Sequence, residues 1–402
     1  MDTLDKLTLL AEGADPEVDT PCGLRRGEAN PLARFISPAV GQGGKVVLLL
    51  KILQDNACLF NCGYCGLHAS GNNPHVSFAP EELAALFMDL LHKKMVSGLF
   101  LSSGISGSPN RAMHQMLDTV EIVRQGYQFK GYVHLKIMPG CSFEYVEQAV
   151  RLADRVSVNL EAPNPQRLAR IADKKVFNEA LLERMRWVKL LADRGLETPS
   201  GMVTQYVVGA AGEPDTELLS TSQMLYRDLN VRRAHYSAFS PVAGTPLQDL
   251  PATSPRREHR LYQADFLMRQ YGFGAEELVY RSDGNLPTGG DPKLIWARFH
   301  PERYPIEVNT ASRADLLRIP GIGPVTVERI LTMRRNRHTL RNTADLRAVG
   351  AVVNRSLPFV LLNGLRPAPD LPPPRPVDED EDQPVAMQLH LPLWQQPGCE
   401  VK

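Results

Sequence analysis

Six times between Lys45 and Tyr271 the chain repeats one pattern: a short apolar run, a stop at Gly, Ser or Pro, then a stretch with helical periodicity. The apolar runs cover residues 46–52, 98–101, 132–137, 156–160, 201–208 and 233–239. Near-continuous apolar runs are what strands buried on both faces require, and that burial is typical of parallel sheets with helices outside. The intervening stretches predict helices over residues 80–95, 111–125, 142–152, 178–193, 215–229 and 256–271, the first opened by Pro80 with Glu81 and Glu82 in its first turn. Strand–helix alternation of this kind defines an α/β chain. Six repeats are too few to close an eight-fold barrel, so the expected product is a partial (β/α)6 TIM-type barrel over residues 45–300.

Such barrels place their chemistry at the C-terminal ends of the strands. Here those ends carry Ser102-Ser103-Gly104, Met138-Pro139-Gly140, Asn159 and Glu161, Gly209, and Ser240-Pro241. His134, Lys136, Gln205, His235, Tyr236 and Ser237 lie on the runs themselves, where period-2 alternation turns some of them inward as ligand contacts or satisfied interior groups.

The first strand leads into Asn56-Ala57-Cys58-Leu59-Phe60-Asn61-Cys62-Gly63-Tyr64-Cys65-Gly66, with Cys58, Cys62 and Cys65 spaced C-x3-C-x2-C. A loop that follows a strand can turn three thiolates toward one point, and thiolates are soft ligands suited to iron–sulfur clusters or zinc. A [4Fe–4S] cube held by three thiolates leaves one iron open to a small molecule. The zinc alternative takes His68 as fourth ligand, but structural zinc sites more often use a second, distant cysteine pair, and the chain has none.

Composition narrows the classes. The apolar fraction of 43% and charged fraction of 22% are those of a globular chain, and a net charge of zero excludes a generic polyanion binder. The six cysteines are few and half are clustered, which suits a reducing, cytoplasmic setting; Cys22, Cys141 and Cys399 read as ordinary free cysteines, a further cluster ligand being the alternative. Met1 to Asp5 offers no basic n-region, and no apolar run is long enough for a bilayer, so neither secretion nor a membrane is expected. Residues 1–44 read as a leader that packs on or closes over the barrel, with Arg34 and the glycines at 41, 43 and 44 near the cysteine loop.

The cysteine spacing, with the aromatic Tyr64 before the last cysteine, resembles the radical S-adenosylmethionine (SAM) superfamily. The resemblance implies that Cys58, Cys62 and Cys65 ligate a [4Fe–4S] cluster, that the open iron chelates SAM, and that a low-potential donor such as flavodoxin or ferredoxin supplies the electron that splits SAM to a 5′-deoxyadenosyl radical. It makes Tyr64, Ser102, Ser103, Gly104, Asn159 and Glu161 cofactor-binding. The turn after the second strand is where that family holds the SAM amino group, usually with Gly-Gly-Glu; here Ser-Ser-Gly lacks the acid. Asn159 and Glu161 suit ribose hydroxyls, the competing reading of Glu161 being a structural ion pair, since an unpaired buried carboxylate is costly.

Residues 301–366 form a second domain. Ile319-Pro320-Gly321-Ile322-Gly323-Pro324 between apolar helices resembles the helix-hairpin-helix DNA-binding motif, and Ala344-Asp345-Leu346 with Val349-Gly350-Ala351 repeats it in degenerate form. Glycines let backbone N–H groups approach a phosphate, and the following helix N-terminus adds positive potential. This domain holds eleven arginines against five acids in a chain of zero net charge, with Arg334, Arg335 and Arg337 clustered at a helix end. Gly321, Gly323 and these three arginines are therefore the nucleic-acid-binding candidates; a solvated face or a protein-docking module is the alternative. Residues 367–402, Pro-rich and then acidic at 378–382, read as a disordered tail whose last apolar stretch docks back on the barrel or binds a partner.

Together, residues 1–300 and the hairpin domain resemble the DNA modification or repair radical SAM proteins, which are associated with a uracil-DNA-glycosylase-like partner. The resemblance implies an enzyme acting on nucleic acid, DNA favoured, with a base or sugar as the target. Two alternatives stand beside it: a radical SAM enzyme for RNA, a peptide or a metabolite, and a redox-sensing Fe–S nucleic-acid-binding protein without turnover.

Overall fold

The computed structural model describes residues 3–14, 36–40, 46–69 and 74–367. Expectations placed on Cys22, Arg34, residues 41–44, Cys399 and the acidic tail lie outside the described residues. The chain forms two compact units that divide after Glu258, within the helix α8 (Pro255–Tyr271).

The first unit is built on a seven-stranded sheet in the order β1 to β7. The six expected strands are all present: β2 (Val46–Leu53), β3 (Gly98–Ser102), β4 (Tyr132–Lys136), β5 (Arg155–Ser157), β6 (Met202–Val208) and β7 (Arg233–Ala238). Each pairs in parallel with the next, and β1 and β7 are edges, so the sheet curls into a half-barrel and stays open. Every residue of β3 is buried, as a parallel strand covered on both faces must be.

Two departures are local. The leader contributes α1 (Thr3–Gly13) and an unpredicted strand β1 (Ile36–Val40), antiparallel to β2. Lys6 of α1 pairs with Glu82 of α2 (Pro80–His92) at 2.8 Å. The fourth parallel strand ends at Ser157, not Leu160. The Thr204 hydroxyl takes the Leu160 N–H at 3.2 Å in place of a ladder carbonyl, and pairing to β6 resumes only at Glu161.

The remaining helices of this unit are α3 (Pro109–Glu121), α4 (Phe143–Leu152), α5 (Pro165–Ile171), α6 (Glu183–Asp193) and α7 (Asp215–Leu229). Their starts follow local chemistry. Ser108 caps α3 by accepting from the Arg111 N–H at 3.2 Å, and Asn164 caps α5 by accepting from the Arg167 N–H at 2.9 Å.

The second unit contains α9 (Pro292–Phe299), capped by Asp291, and two hairpins. The first joins α10 (Arg313–Arg318) to α11 (Pro324–Arg335); the second joins α12 (Thr343–Ala348) to the one-turn helix α13 (Val353–Ser356). The repeat seen in the sequence is therefore structural: Ser312 caps Asp315, and Asn342 caps Asp345, in the same way. The helices are joined by a parallel two-residue ribbon, β8 (Ile306–Glu307) with β9 (Val360–Leu361). Leu316, Ile322, Val327, Ile330 and Leu346 form the shared core, with Tyr271 and Tyr304 packed against it.

Candidate cofactor site and nucleic-acid interface

The cysteine loop leaves β2 on a tightly bonded stem. Gln54 donates its side chain to Phe78 O (2.7 Å), Asn56 accepts from the Val76 N–H (2.8 Å) and donates to Pro74 O (3.0 Å), and Asp55 accepts from the Ala57 N–H (2.7 Å). The exit of β3 closes on the same stem: Gly104 N–H donates to Asp55 O at 2.6 Å, and Leu59 N–H donates to Ile105 O at 2.9 Å. A Cβ on Gly104 would stand 2.2 Å from Ala57 O, so only glycine permits this approach.

The loop turns back through Cys65 N–H to Cys62 O (3.1 Å) and His68 N–H to Cys65 O (3.1 Å). It is tied to the barrel rim by Gly63 N–H to Ile171 O (2.7 Å), by Leu247 N–H to Gly63 O (3.1 Å), and by His68 Nε2 donating to Gly244 O (2.9 Å). His68 thus spends a ring nitrogen on a carbonyl. Cys62 is buried, and Cys58 and Cys65 are half-buried. Burial raises the pKa of Cys62, against the pull of Lys175, and pushes Cys65 up to about 12, so metal loading has to displace thiol protons. Among the described residues, no three His, Cys, Asp or Glu side chains are grouped as a single-ion site. A four-iron cube takes each thiolate on a different iron and needs no such convergence.

Sequence reasoning did not find Lys175. It lies between α5 and α6, and its ammonium reaches Glu161 Oε1 at 3.2 Å and the Tyr64 hydroxyl at 3.3 Å, 5.9 Å from the Phe60 ring centre. Burial alone would lower its pKa, but Cys62, Glu161 and Cys65 outweigh that and hold it above the ordinary lysine value. Glu161 sits at φ +65°, a left-handed conformation rare for a glutamate and of the kind that clusters at functional sites. The one available signal was the buried acid itself, which demands a counter-charge. The pair is 8% and 6% exposed. Removing only the lysine should therefore destabilise the cluster-free protein by about 3–5 kcal/mol. We expect Lys175→Met to lower the urea midpoint and Lys175→Met/Glu161→Gln to recover most of the loss; an unchanged midpoint for the single variant contradicts the pairing.

The cofactor candidates Cys58, Cys62, Cys65, Tyr64, Ser102, Ser103, Gly104 and Glu161 thus share one end of the half-barrel, with Asn159 buried on the approach to Glu161. The hydroxyls of Ser102 and Ser103 and the side-chain oxygen of Asn61 are buried without a hydrogen-bond partner among the described residues. Buried polar atoms are rarely left so. Hydroxyl and amide oxygens are acceptors for an ammonium group, so the residues present fit the amino end of SAM beside three thiolates able to take iron.

In the hairpin unit, Gly321 adopts φ +81°, and a Cβ there would lie 2.6 Å from Val352 O. Its missing side chain therefore serves the packing of the two hairpins. The backbone N–H groups of Gly321 and Gly323 have no partner among the described residues. The arginines do not join them. Arg334, Arg335 and Arg337 lie at the opposite end of α11, whose twelve residues span about 18 Å. Arg334 donates to Ala311 O (2.6 Å) and Thr310 O (3.0 Å), while Arg335 and Arg337 are exposed along a groove of about 600 Å³ shared with Asn309, Leu331 and His338.

Residues 55–225 match the radical SAM superfamily, and residues 306–332 match the helix-hairpin-helix motif. The chain carries a radical SAM domain, which defines a class of enzyme whose members use a [4Fe–4S] cluster and SAM. No curated protein matches the chain in sequence. Among solved structures it is similar to the FeFe-hydrogenase maturase HydG from Carboxydothermus hydrogenoformans, at 12% identity over 54% of this chain and 50% of that one, TM-score 0.44. It is also similar to methylornithine synthase (PylB), at 13% identity over 54% and 60%, TM-score 0.44. A third likeness is to the radical S-adenosylmethionine methyltransferase TsrM from Kitasatospora setae, at 15% identity over 52% and 38%, TM-score 0.36. The chain spans less than two thirds of each of these proteins, and none of the likenesses bears on its substrate. Among the described residues no helix is long and apolar enough to cross a membrane.

Proposed function

We propose that the chain is a radical SAM enzyme that modifies or repairs nucleic acid, DNA in the first place. The observation that carries the reading is the joining, in one chain, of a three-cysteine loop flanked by buried hydroxyls and a hairpin whose Gly321 and Gly323 N–H groups, like those hydroxyls, have no hydrogen-bond partner among the described residues. In this reading Cys58, Cys62 and Cys65 hold the cluster. Ser102, Ser103 and the Gly104 turn receive the SAM amino group. Asn159 and the Glu161–Lys175 pair border the ribose, with Tyr64 beside them. When bound, the two cofactors supply a 5′-deoxyadenosyl radical that abstracts hydrogen. A low-potential flavodoxin or ferredoxin is the matching donor, a uracil-DNA-glycosylase-like protein a candidate partner, and the cytoplasm the fitting compartment.

The hairpin grips backbone rather than sequence. A base stacked in a duplex is out of reach of a radical centre, so a single-stranded or flipped nucleotide is the matching substrate. Arg335 and Arg337, exposed and away from the hairpin, add a second phosphate track. Replacing either with alanine should weaken oligonucleotide binding uniformly across sequences and reduce the slope of log K against log salt by about one. Fluorescence anisotropy over a salt series reads this directly. Slopes unchanged in both variants would remove those arginines from the interface. Mass spectrometry of oligonucleotides incubated with the reduced, SAM-loaded enzyme tests the reaction: a mass change dependent on SAM supports the proposal, and unaltered DNA with altered RNA or peptide redirects it.

A further inference from the structure

Lys293 is a buried cation that neither site uses. It lies in α9, is 6% exposed, and donates from Nζ to the Ile322 carbonyl at 2.5 Å. Ile322 is the central residue of the Gly321-Ile322-Gly323 hairpin. The Tyr271 ring covers the same ammonium at 4.5 Å. Burial pulls the Lys293 pKa well below the ordinary lysine value; what its burial and contact with the Ile322 carbonyl offer the hairpin is a hydrogen-bond donor from inside the fold rather than a solvent-facing phosphate contact. Its helix start is held in turn: Asp291 caps α9 through the Leu294 N–H at 3.1 Å and pairs with Arg355.

The consequence follows from peptide geometry. A trans peptide unit is planar, with its C=O and N–H pointing in opposite directions. The unit between Ile322 and Gly323 has its carbonyl drawn inward by Lys293, so the Gly323 N–H is turned the other way. The preceding unit is spent on both sides, Gly321 O on the Val352 N–H at 2.9 Å and Ile322 N–H on Ile319 O at 3.1 Å. Rotation of the Ile322–Gly323 unit is thus opposed by the lysine. Among the described residues no other hydrogen bond holds that carbonyl.

We propose that Lys293 is a positioning residue of the nucleic-acid grip: from inside the fold it orients the Ile322–Gly323 peptide so that the Gly323 N–H faces a phosphate. The inference rests on the reading of the hairpin as the phosphate-binding element.

The test uses the full chain and a fluorescent single-stranded oligonucleotide across a salt series, comparing wild type, Lys293→Met and Lys293→Arg. Lys293→Met keeps the volume and removes the donor. It should weaken binding about tenfold, the size of one hydrogen bond to a charged partner, at an unchanged salt slope. Lys293→Arg, which restores a donor, should recover part of the affinity. A slope lower by about one in Lys293→Met would make the lysine itself a phosphate contact and overturn the inference. So would unchanged affinity in a folded Lys293→Met. If that variant fails to melt cooperatively, the wild-type Gly323 amide decides: a shift of its nitrogen resonance on adding oligonucleotide supports the orientation, and its silence refutes it. A wild type that binds no nucleic acid removes the hairpin reading and this inference together, whereas failure of the variants alone removes only the inference.

Discussion

Cys62→Ala, reconstituted anaerobically beside wild type, is expected to hold less than about a tenth of the wild-type iron and to form no 5′-deoxyadenosine. A cube offered three thiolates cannot spare one and still present a single open iron. Cys62 is the buried member of the three, its pKa raised by that burial against the pull of Lys175, and loading a metal there has to displace the thiol proton. Alanine leaves little void, and the backbone bond of Cys65 N–H to residue 62 O does not depend on the side chain. The control is Cys141→Ala. That thiol is buried beyond β4, with burial pushing its pKa up to about 11, and the adjacent Arg184 donates to its backbone carbonyl. It should load iron as wild type does. Equal iron in Cys62→Ala and wild type would remove Cys62 from the ligand set.

Gly104→Ala is the second large effect, and it acts through shape alone. The new methyl would lie 2.2 Å from Ala57 O, 2.9 Å from Ala57 C and 3.1 Å from Asn56 C. All three are backbone atoms on a stem pinned by Asp55, Asn56 and residues 74–78, so no side chain can rotate away. The stem must move, and Cys58 is the next residue along. Overpacking of this kind costs about 1–3 kcal/mol. Here the cost falls on the loop that places the first thiol and on the Ser102–Ser103 hydroxyls at once. We expect cluster occupancy and SAM binding each to fall at least about tenfold while the sheet still melts cooperatively. A Gly104→Ala protein that loads iron and binds SAM normally would contradict the packing assigned to this turn.

What the sequence made legible was local or periodic. Strands such as Val46–Leu53 and Gly98-Leu99-Phe100-Leu101 stand out because burial on both faces forces continuous apolar runs, the more polar ones such as Arg233–Ala238 by their place in the strand–helix alternation, and the cysteine loop because its spacing is compact. β1 was hidden: Ile36-Ser37-Pro38-Ala39-Val40 is short, and its internal proline reads against a strand although an edge tolerates it. The early end of β5 depends on Thr204, 44 residues from Leu160, which no window along the chain can see. Lys175 carried no pattern of its own; only the fold brings it to Glu161 and Tyr64. The arginines at the end of α11 were visible as charge, but that Arg334 spends its guanidinium on two carbonyls, and that all three sit a helix length from the hairpin, are facts of three dimensions.

SAM cleavage at the three-cysteine loop and nucleic acid as what that cleavage serves stand or fall separately. One anaerobic measurement addresses both. Reconstituted wild type, SAM and a strong reductant are incubated alone, with single-stranded DNA, with duplex DNA and with RNA, and 5′-deoxyadenosine is quantified by mass spectrometry. Slow release is expected without nucleic acid and faster release with DNA, the single strand above the duplex. A protein that binds zinc in place of a cluster and forms no 5′-deoxyadenosine would contradict the first half. Release indifferent to every nucleic acid would contradict the second.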